Sequence, residues 1–422
     1  MLLEYSFENF CSFKDSAYFS LRATEGNIQK QFPLNCVEHT LKTAVIVGEN
    51  AGGKTNFVKS LSFLKSLFRE NNSIKTKLKF INDSYINGQE TKIGDTTQKF
   101  FISVLIDDAE YNYKLELDYL GLKHEEFYIR TANQEEITKI FVLNRQEEHI
   151  SSEDTIKMTL LKHRPDLPLF TLKYDLQKNP SVIYDEITKT LDQLSAKSES
   201  NSLYISKYAL LEVKPAVIFN KWINDTLFVN VSSDGENYFQ GKKLTDEDEL
   251  ILEDKEAFLP ILQMADSSIE NFNVDLKSPF TNTTIIRKTK NGMTSEHMLL
   301  EDSAGIRDYF PLAIQIYKVL YENKVVIVDE MDRSLNPVLS DKIVAFINGN
   351  NHKGQFIFTT HNVLHLDLNI YMKEQIYFVT KNLESLNSEM YSLSDFPDVS
   401  YDEQEPIYNF YLRGILGGVT FG

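Results

Sequence analysis

Cysteine is scarce in this chain of 422 residues: only Cys11 and Cys36 occur, with no C-x-x-C pair, so neither a disulfide framework nor a cysteine zinc site is encoded. Long apolar runs are missing too. No stretch of about 18 apolar residues exists, and the opening MLLEYSFENF carries Glu4 and Glu8 where a signal peptide needs a basic start. These absences predict a soluble, unsecreted, cytoplasmic protein with no membrane partner. Glycine (17) and proline (11) are too few for a collagen-like or low-complexity chain. No internal repeat or heptad run appears, which argues against a solenoid or a long coiled coil. Apolar residues at 42% and charged residues at 25% describe an ordinary globular protein. At roughly 150 residues per domain, the length suggests about two to three domains.

The net charge is −17, a field that repels phosphate backbones and weakens the case for a nonspecific nucleic-acid coat. Residues 1–80 nevertheless carry 11 Lys and Arg against 7 Asp and Glu, a balance of +4 that leaves −21 on the other 342 residues. Lys75, Lys77 and Lys79 therefore read either as a solvated loop or as a nucleic-acid contact. Residues 231–256 hold nine acidic and three basic side chains, with Asp246 to Glu249 consecutive. That run reads as a solvated loop or helix start, an interaction tail being the alternative.

The opening LLEYSFENFCSFKDSAYFSLRA alternates apolar and polar residues, which predicts short strands or a hairpin. Thr43–Val47 is short, β-branched and followed by glycine, as a buried parallel strand should be. Phe57, Val58, Leu61, Leu64, Leu67 and Phe68 then fall at helical spacing, giving strand, loop and helix in order. From about 98 to 145, two alternating runs joined at Asp107-Asp108 predict an antiparallel β subdomain. Beyond it, Pro165 and Pro168, a polar run at 196–202 and a helix-like segment from Phe219 to Phe228 suggest an inserted, mainly helical lobe. Short strand-like runs return at Val325–Val328, Gln355–Phe358 and Gln375–Val379. The expected architecture is an α/β head divided between residues 1–149 and 295–422, with the mainly helical lobe at 150–294 inserted in it.

Gly48-Glu-Asn50-Ala-Gly52-Gly53-Lys54-Thr55 fits G-x-x-x-x-G-K-[ST] between a strand and a helix. Glycines let backbone N–H groups curl around a phosphate, and the helix N-terminus adds its positive end. Lys54 would reach the β and γ oxygens, and the Thr55 hydroxyl would hold Mg²⁺. Val325–Val328 ends in Asp329 and Glu330; the first can hold Mg²⁺ and the second can orient and deprotonate an attacking water. Gln355–Thr360 ends in His361, placed to contact a γ-phosphate or that water. His361 and His365 lie four apart, as zinc ligands on a helix would, but no glutamate follows His361 and no third ligand is evident. Ser303-Ala-Gly305-Ile-Arg307 precedes a helical pattern, so Ser303 and Gly305 are either an anion site at a helix start or an ordinary N-cap. Pro311 should kink that helix unless it starts later.

Taken together, strand–GxxxxGKT, S-x-G-x-R, VVIVDE and TTH resemble an ABC-type P-loop ATPase head. The chain most resembles the small AAA-type ATPases of bacterial anti-phage defence and abortive-infection modules (RloA/AbiL-like), with wider kinship to overcoming-lysogenisation-defect and RecF/SMC heads. The N-F-x-S-F-K-D opening, the stretch Asp329-Glu-Met-Asp-Arg-Ser-Leu-Asn-Pro337 and the closing YLRGILGG carry the same resemblance. It implies ATP and Mg²⁺ as ligands, with Gly48, Asn50, Gly52, Gly53, Lys54 and Thr55 as Walker A, Asp329 and Glu330 as Walker B and His361 as the switch histidine. Ser303 and Gly305 would be the signature that a second subunit presents to the γ-phosphate, which implies a homodimer or a higher even oligomer. The signature keeps one glycine and lacks the glutamine of L-S-G-G-Q, and Asn336 stands where relatives often have histidine. Lysogenisation-defect relatives carry a C-terminal Toprim nuclease with a D-x-D cluster, and the roughly 60 residues after His361 contain none.

The expected function is that of a Mg²⁺-dependent ATPase that dimerises through its heads. It would act as sensor or regulator of an anti-phage defence module and control a separate effector protein, a nuclease or toxin. The alternative is a DNA-repair or chromosome-associated ATPase of the RecF/SMC class that binds duplex DNA directly.

Overall fold

A computed structural model of the protein describes residues 1–23, 32–69, 97–118, 121–131, 137–145, 170–173, 202–230, 246–274, 283–332, 335–401 and 405–417. The strands are β1 (Leu2–Glu8), β2 (Ala17–Ser20), β3 (Cys36–Val37), β4 (Thr40–Leu41), β5 (Thr43–Gly48), β6 (Gln98–Ile106), β7 (Ala109–Asp118), β8 (Gly121–Thr131), β9 (Ile137–Arg145), β10 (Phe170–Lys173), β11 (Leu227–Asn230), β12 (Ile269–Asn273), β13 (Thr284–Lys288), β14 (Thr294–Met298), β15 (Val325–Val328), β16 (Gln355–Thr360), β17 (Ile376–Lys381) and β18 (Ser388–Ser392). The α-helices are α1 (Lys54–Leu67), α2 (Tyr204–Leu210), α3 (Lys214–Lys221), α4 (Asp246–Glu253), α5 (Lys255–Ala265), α6 (Ala304–Glu322), α7 (Pro337–Gly349) and α8 (Ile407–Leu412). The chain divides into two compact units. The first comprises Met1–Ser20, Ala51–Leu227 and Thr380–Tyr391; the second comprises Leu21–Asn50, Phe228–Val379 and Ser392–Gly422.

The first unit is built on a seven-stranded sheet in the order β10-β9-β8-β7-β6-β1-β2. The alternating pattern at the start of the chain gives β1, whose Leu3, Tyr5 and Phe7 are buried, paired antiparallel to both β2 and β6. The apolar stripe of α1, with Phe57, Val58, Leu61 and Leu64 buried, lies on aromatic side chains of this sheet. Phe19 and Phe57 meet edge to face at 5.3 Å, and Phe10, Phe63 and Phe100 approach one another within 6.0 Å. Edge-to-face rings of this kind add to what area burial alone supplies. The turn at Asp107, with φ 52, joins β6 to β7 as the sequence predicts. Farther along, α2 and α3 press Tyr204, Tyr208 and Phe219 onto Phe127 and Phe141.

The second unit is carried by β11, β15, β16, β5 and β17 in that order, with parallel pairing from β15 to β17. Every residue of β5 and β16 is buried, as strands covered on both faces require. In register, Val328 pairs with Phe358, Thr360 with Val47 and Val379 with Gly48, so these strands end along one edge. Helix α6 runs unbroken from Ala304 through Pro311 to Glu322. It does not start after Pro311, and the buried face from Tyr309 to Leu320 offsets the one hydrogen bond a proline removes. A three-stranded antiparallel sheet, β12-β13-β14, completes the unit.

The acidic run at 246–249 opens α4, a helix start as expected, but it is not wholly solvated: Asp248 is buried and pairs with the buried Lys318 of α6 at 2.7 Å. Lys318 also lies 4.7 Å over the Phe228 ring. A cation contributed from 70 residues away draws this one carboxylate inward, and a count of charges along the chain does not register it. Residues 231–245, Lys75, Lys77, Lys79, Pro165 and Pro168 lie outside the described residues.

Candidate functional site

The glycine-rich loop begins where β5 ends. A Cβ at Gly48 would stand 2.1 Å from the Val379 carbonyl oxygen of β17, so only glycine allows that strand spacing. Gly53, with φ 123, caps α1 without any side-chain acceptor, and no acidic residue occupies the first helical turn. A Cβ at Gly53 would fall 2.4 Å from Ser388 Oγ. The loop therefore turns from strand into helix through left-handed backbone at Ala51 (φ 62) and Gly53, leaving the α1 N-terminus open to an anion. Gly52 and Lys54 are buried, Thr55 is half-buried and Asn50 is exposed.

At the ends of β15 and β16, a threonine organises the two acidic residues. Thr359 Oγ1 donates to Asp329 Oδ1 at 2.7 Å and accepts from the Glu330 N–H at 2.8 Å, while the Met331 N–H donates to the Thr359 carbonyl at 3.1 Å. The next residue repeats the device: Thr360 Oγ1 donates to Asp332 Oδ2 at 2.7 Å and accepts from the Asn362 N–H at 2.8 Å. Asp329 is buried, with its own N–H donating to the Asn230 carbonyl of β11 at 3.0 Å. Glu330 is half-buried and has φ 52, so the chain turns sharply immediately after Asp329. His361 follows β16 and is exposed. Parallel register thus brings Gly48, Asp329, Glu330 and His361 to the same strand-end edge, the edge at which open α/β sheets bind ligands.

His365 does not share that setting with His361. It is wholly buried, its Nδ1 3.1 Å from Asp341 Oδ1 and its ring edge-on to Phe358. Burial holds its imidazole below the ordinary histidine value. It packs beneath the strand end, whereas His361 lies at the surface, so the two do not act as paired ligands.

Ser303 and Gly305 open α6. The Ser303 hydroxyl accepts from the Ile306 N–H at 3.3 Å, an N-cap bond, and its own N–H donates to Asp302 Oδ1 at 2.8 Å. Asp302 in turn pairs with Arg287 Nη2 at 2.7 Å, and Arg287 Nε donates to Asp266 Oδ2 at 2.7 Å. These residues line a cleft of about 440 Å³ together with Ile306, Leu335 and Asn336. Asp329, Glu330 and His361 are not part of that lining.

Ser12 is the serine of the N-F-x-S-F-K-D opening, whereas the sequence assigns no role to Thr359 or Ser388. Thr359 was visible as the first threonine of the TTH run. Ser388 lies 336 residues from Gly52, and nothing in its neighbourhood marks it out.

The family model described as "AAA domain, putative AbiEii toxin, Type IV TA system" matches residues 44–367, a span holding every candidate site residue named above except Ser12 and Ser388. Among solved structures, the chain is similar to an Smc head bound to the C-winged helix domain of ScpA, at 12% identity and TM-score 0.47, covering 93% of this chain and 97% of that one. It is likewise similar to the SMC head domain from Thermotoga maritima, at 12% identity and TM-score 0.42, covering 93% and 98%. A third similar structure is the Smc head domain with an extended coiled coil bound to the C-terminal domain of ScpA derived from Pyrococcus furiosus, at 12% identity and TM-score 0.44, covering 93% and 96%. A search of curated proteins gave no match.

Proposed function

Because the chain belongs to the AAA_21 family of AAA domains, with a mixed α/β P-loop fold, we propose that it hydrolyses ATP with Mg²⁺ and governs a separate effector of an anti-phage defence module. The observation that carries this reading is the single strand-end edge holding Gly48, Asp329, Glu330 and His361, with the glycine loop running from it into α1.

The cradle fits a polyphosphate. Glycine is sterically required at Gly48, the α1 N-terminus presents backbone N–H groups, and Lys54 supplies a positive charge for the β and γ oxygens. Thr55 carries a hydroxyl oxygen and Asp329 carboxylate oxygens, hard donors of the kind Mg²⁺ prefers, and as Walker A and Walker B residues they would hold it with the substrate phosphates. The bound ion supplies charge neutralisation at those phosphates.

Glu330 is the group to activate water. Thr359 pins its N–H, and the left-handed turn directs the residue away from the strand line, so its backbone has a preset position. It takes a proton as the water oxygen bonds to the γ-phosphorus, and the bond to the β–γ bridging oxygen breaks to leave ADP. His361 hydrogen-bonds the transferring phosphoryl group or the water. Ser303 and Gly305 serve the site of a second protomer, so closure of a homodimer around ATP is the conformational event that an effector can sense. No helix among the described residues is long and apolar enough to cross a membrane.

Purifying the Glu330→Gln chain from its native host with ATP present, then identifying co-purifying molecules by mass spectrometry, tests this function. A stoichiometric nuclease or toxin-like protein supports an effector-controlling ATPase. Co-purifying nucleic acid with repair factors would overturn that role in favour of direct duplex binding.

A further inference from the structure

The phosphate loop is held from the side by two serines that belong to distant hairpins of the same unit. Ser388, at the start of β18, is 3% exposed; its hydroxyl lies 2.5 Å from the Gly52 carbonyl oxygen and 2.7 Å from Ser12 Oγ. Ser12 stands in the turn after β1, and the Asn56 side-chain amide on α1 donates to its hydroxyl at 2.7 Å. The Ser388 N–H also donates to the Ser12 carbonyl at 2.8 Å, tying the two hairpins together through backbone. A hydroxyl has one proton to give. With the Ser388 proton on the Gly52 carbonyl, Ser12 must donate to Ser388 while accepting from Asn56, so a single directed chain runs from Asn56 through Ser12 and Ser388 to Gly52.

Covalent geometry gives this chain a consequence. The Gly52–Gly53 peptide is planar and trans, so its carbonyl and its N–H point in opposite directions. Fixing the Gly52 carbonyl on Ser388 therefore fixes the Gly53 N–H on the opposite side of the loop. Both glycines give that peptide unusual freedom to flip, and Ser388 Oγ also fills the space that a Cβ at Gly53 would need. The loop thus combines intrinsic freedom with an external latch.

We propose that Ser388 and Ser12 are positioning residues for nucleotide binding, holding the Gly52–Gly53 peptide with its N–H presented to the β-phosphate before the ligand arrives. The proposal rests on the loop being an ATP site, and it adds residues from outside the P-loop motif to that site. The latch acts on phosphate recognition beyond the α-phosphate, so ATP and ADP depend on it and AMP does not.

Calorimetric titration of ATP, ADP and AMP into the full-length wild type and into Ser388→Ala and Ser12→Ala tests it, with thermal unfolding of each protein as a control. Ser12 is less buried than Ser388, so its variant keeps the test available if Ser388→Ala folds poorly. Loss of one net hydrogen bond and of preorganisation should weaken ATP and ADP binding about tenfold in either variant. AMP affinity should stay within about twofold, and because both substitutions break one chain, the double variant should lose little more than either single one. Wild-type ATP affinity in both folded variants overturns the latch while leaving ATP binding intact. Equal weakening of all three nucleotides overturns it as well, since that marks a general structural role. Absence of ATP binding by the wild type would instead overturn the ATP site, and the latch with it.

Discussion

Replacing Glu125 with glutamine should remove a pH dependence from the stability of the first unit. Glu125 is fully buried on β8, where Tyr113 Oη donates to it at 3.0 Å and the Tyr204 and Ile205 N–H groups donate at 2.6 and 2.8 Å. Those donors favour the carboxylate, but loss of hydration outweighs them and pushes its pKa from 4.5 up to about 7. The folded chain therefore keeps Glu125 protonated over a range in which the unfolded chain has already ionised it. Its stabilising contribution is complete below about pH 4.5, declines as pH rises and is gone above about pH 7. That difference corresponds to roughly 3 kcal/mol over the whole window, of which roughly 1 kcal/mol falls between pH 6 and pH 8. The upper part of the window is the practical one, since the chain approaches zero net charge near pH 5.0. Trp222, the sole tryptophan, is buried in the same unit, so urea unfolding followed by its fluorescence reports the effect. The substituted glutamine stays neutral throughout. From pH 6 to pH 8 the wild type should lose roughly 1 kcal/mol relative to Glu125→Gln. A gap between the two proteins that stays constant with pH would refute a neutral, buried Glu125.

Three further outcomes are expected. Thr359→Val removes the bonds to Asp329 and to the Glu330 N–H, and steady-state phosphate release should fall about 10- to 100-fold; an unchanged kcat would separate Thr359 from the acidic pair. Lys318→Met leaves Asp248 buried without its cation and should cost about 3–5 kcal/mol in chemical denaturation, with Asp248→Leu/Lys318→Met recovering most of it; equal loss in both would show the ion pair to be irrelevant. Gly48→Ala forces a Cβ to 2.1 Å from the Val379 carbonyl, and strand displacement should lower the thermal midpoint by several degrees, in line with overpacking costs of about 1–3 kcal/mol. A wild-type midpoint would contradict that spacing.

Local pattern was enough for the elements nearest the site. Thr43–Gly48 and Gln355–Thr360 read as buried strands because both faces are covered, and the helical stripe from Phe57 to Leu67 is the one that α1 buries. The loop between them declared itself because a phosphate cradle needs glycine and lysine at fixed spacing. Partners supplied from far along the chain left no such trace. Glu125 caps α2 from 79 residues away, Asp248 meets Lys318 across 70, and Ser388 meets Gly52 across 336. Burial along β8 does not alternate, since Glu125, Glu126 and Phe127 are buried in succession, and a glutamate there looks like a surface residue until the helix it caps is in place. Pro311 shows the opposite balance, a local rule against proline within a helix set against the apolar face of a 19-residue helix that holds it.

ATP turnover by the wild type, Lys54→Ala and Glu330→Gln, each measured with and without Mg²⁺ and alongside its oligomeric state by light scattering, would test the proposed chemistry most directly. The wild type should release phosphate only with Mg²⁺. Lys54→Ala should neither bind nor hydrolyse ATP, and Glu330→Gln should bind ATP, fail to turn it over and accumulate as a dimer. Wild-type turnover in either variant would contradict the assignment of Lys54 and Glu330.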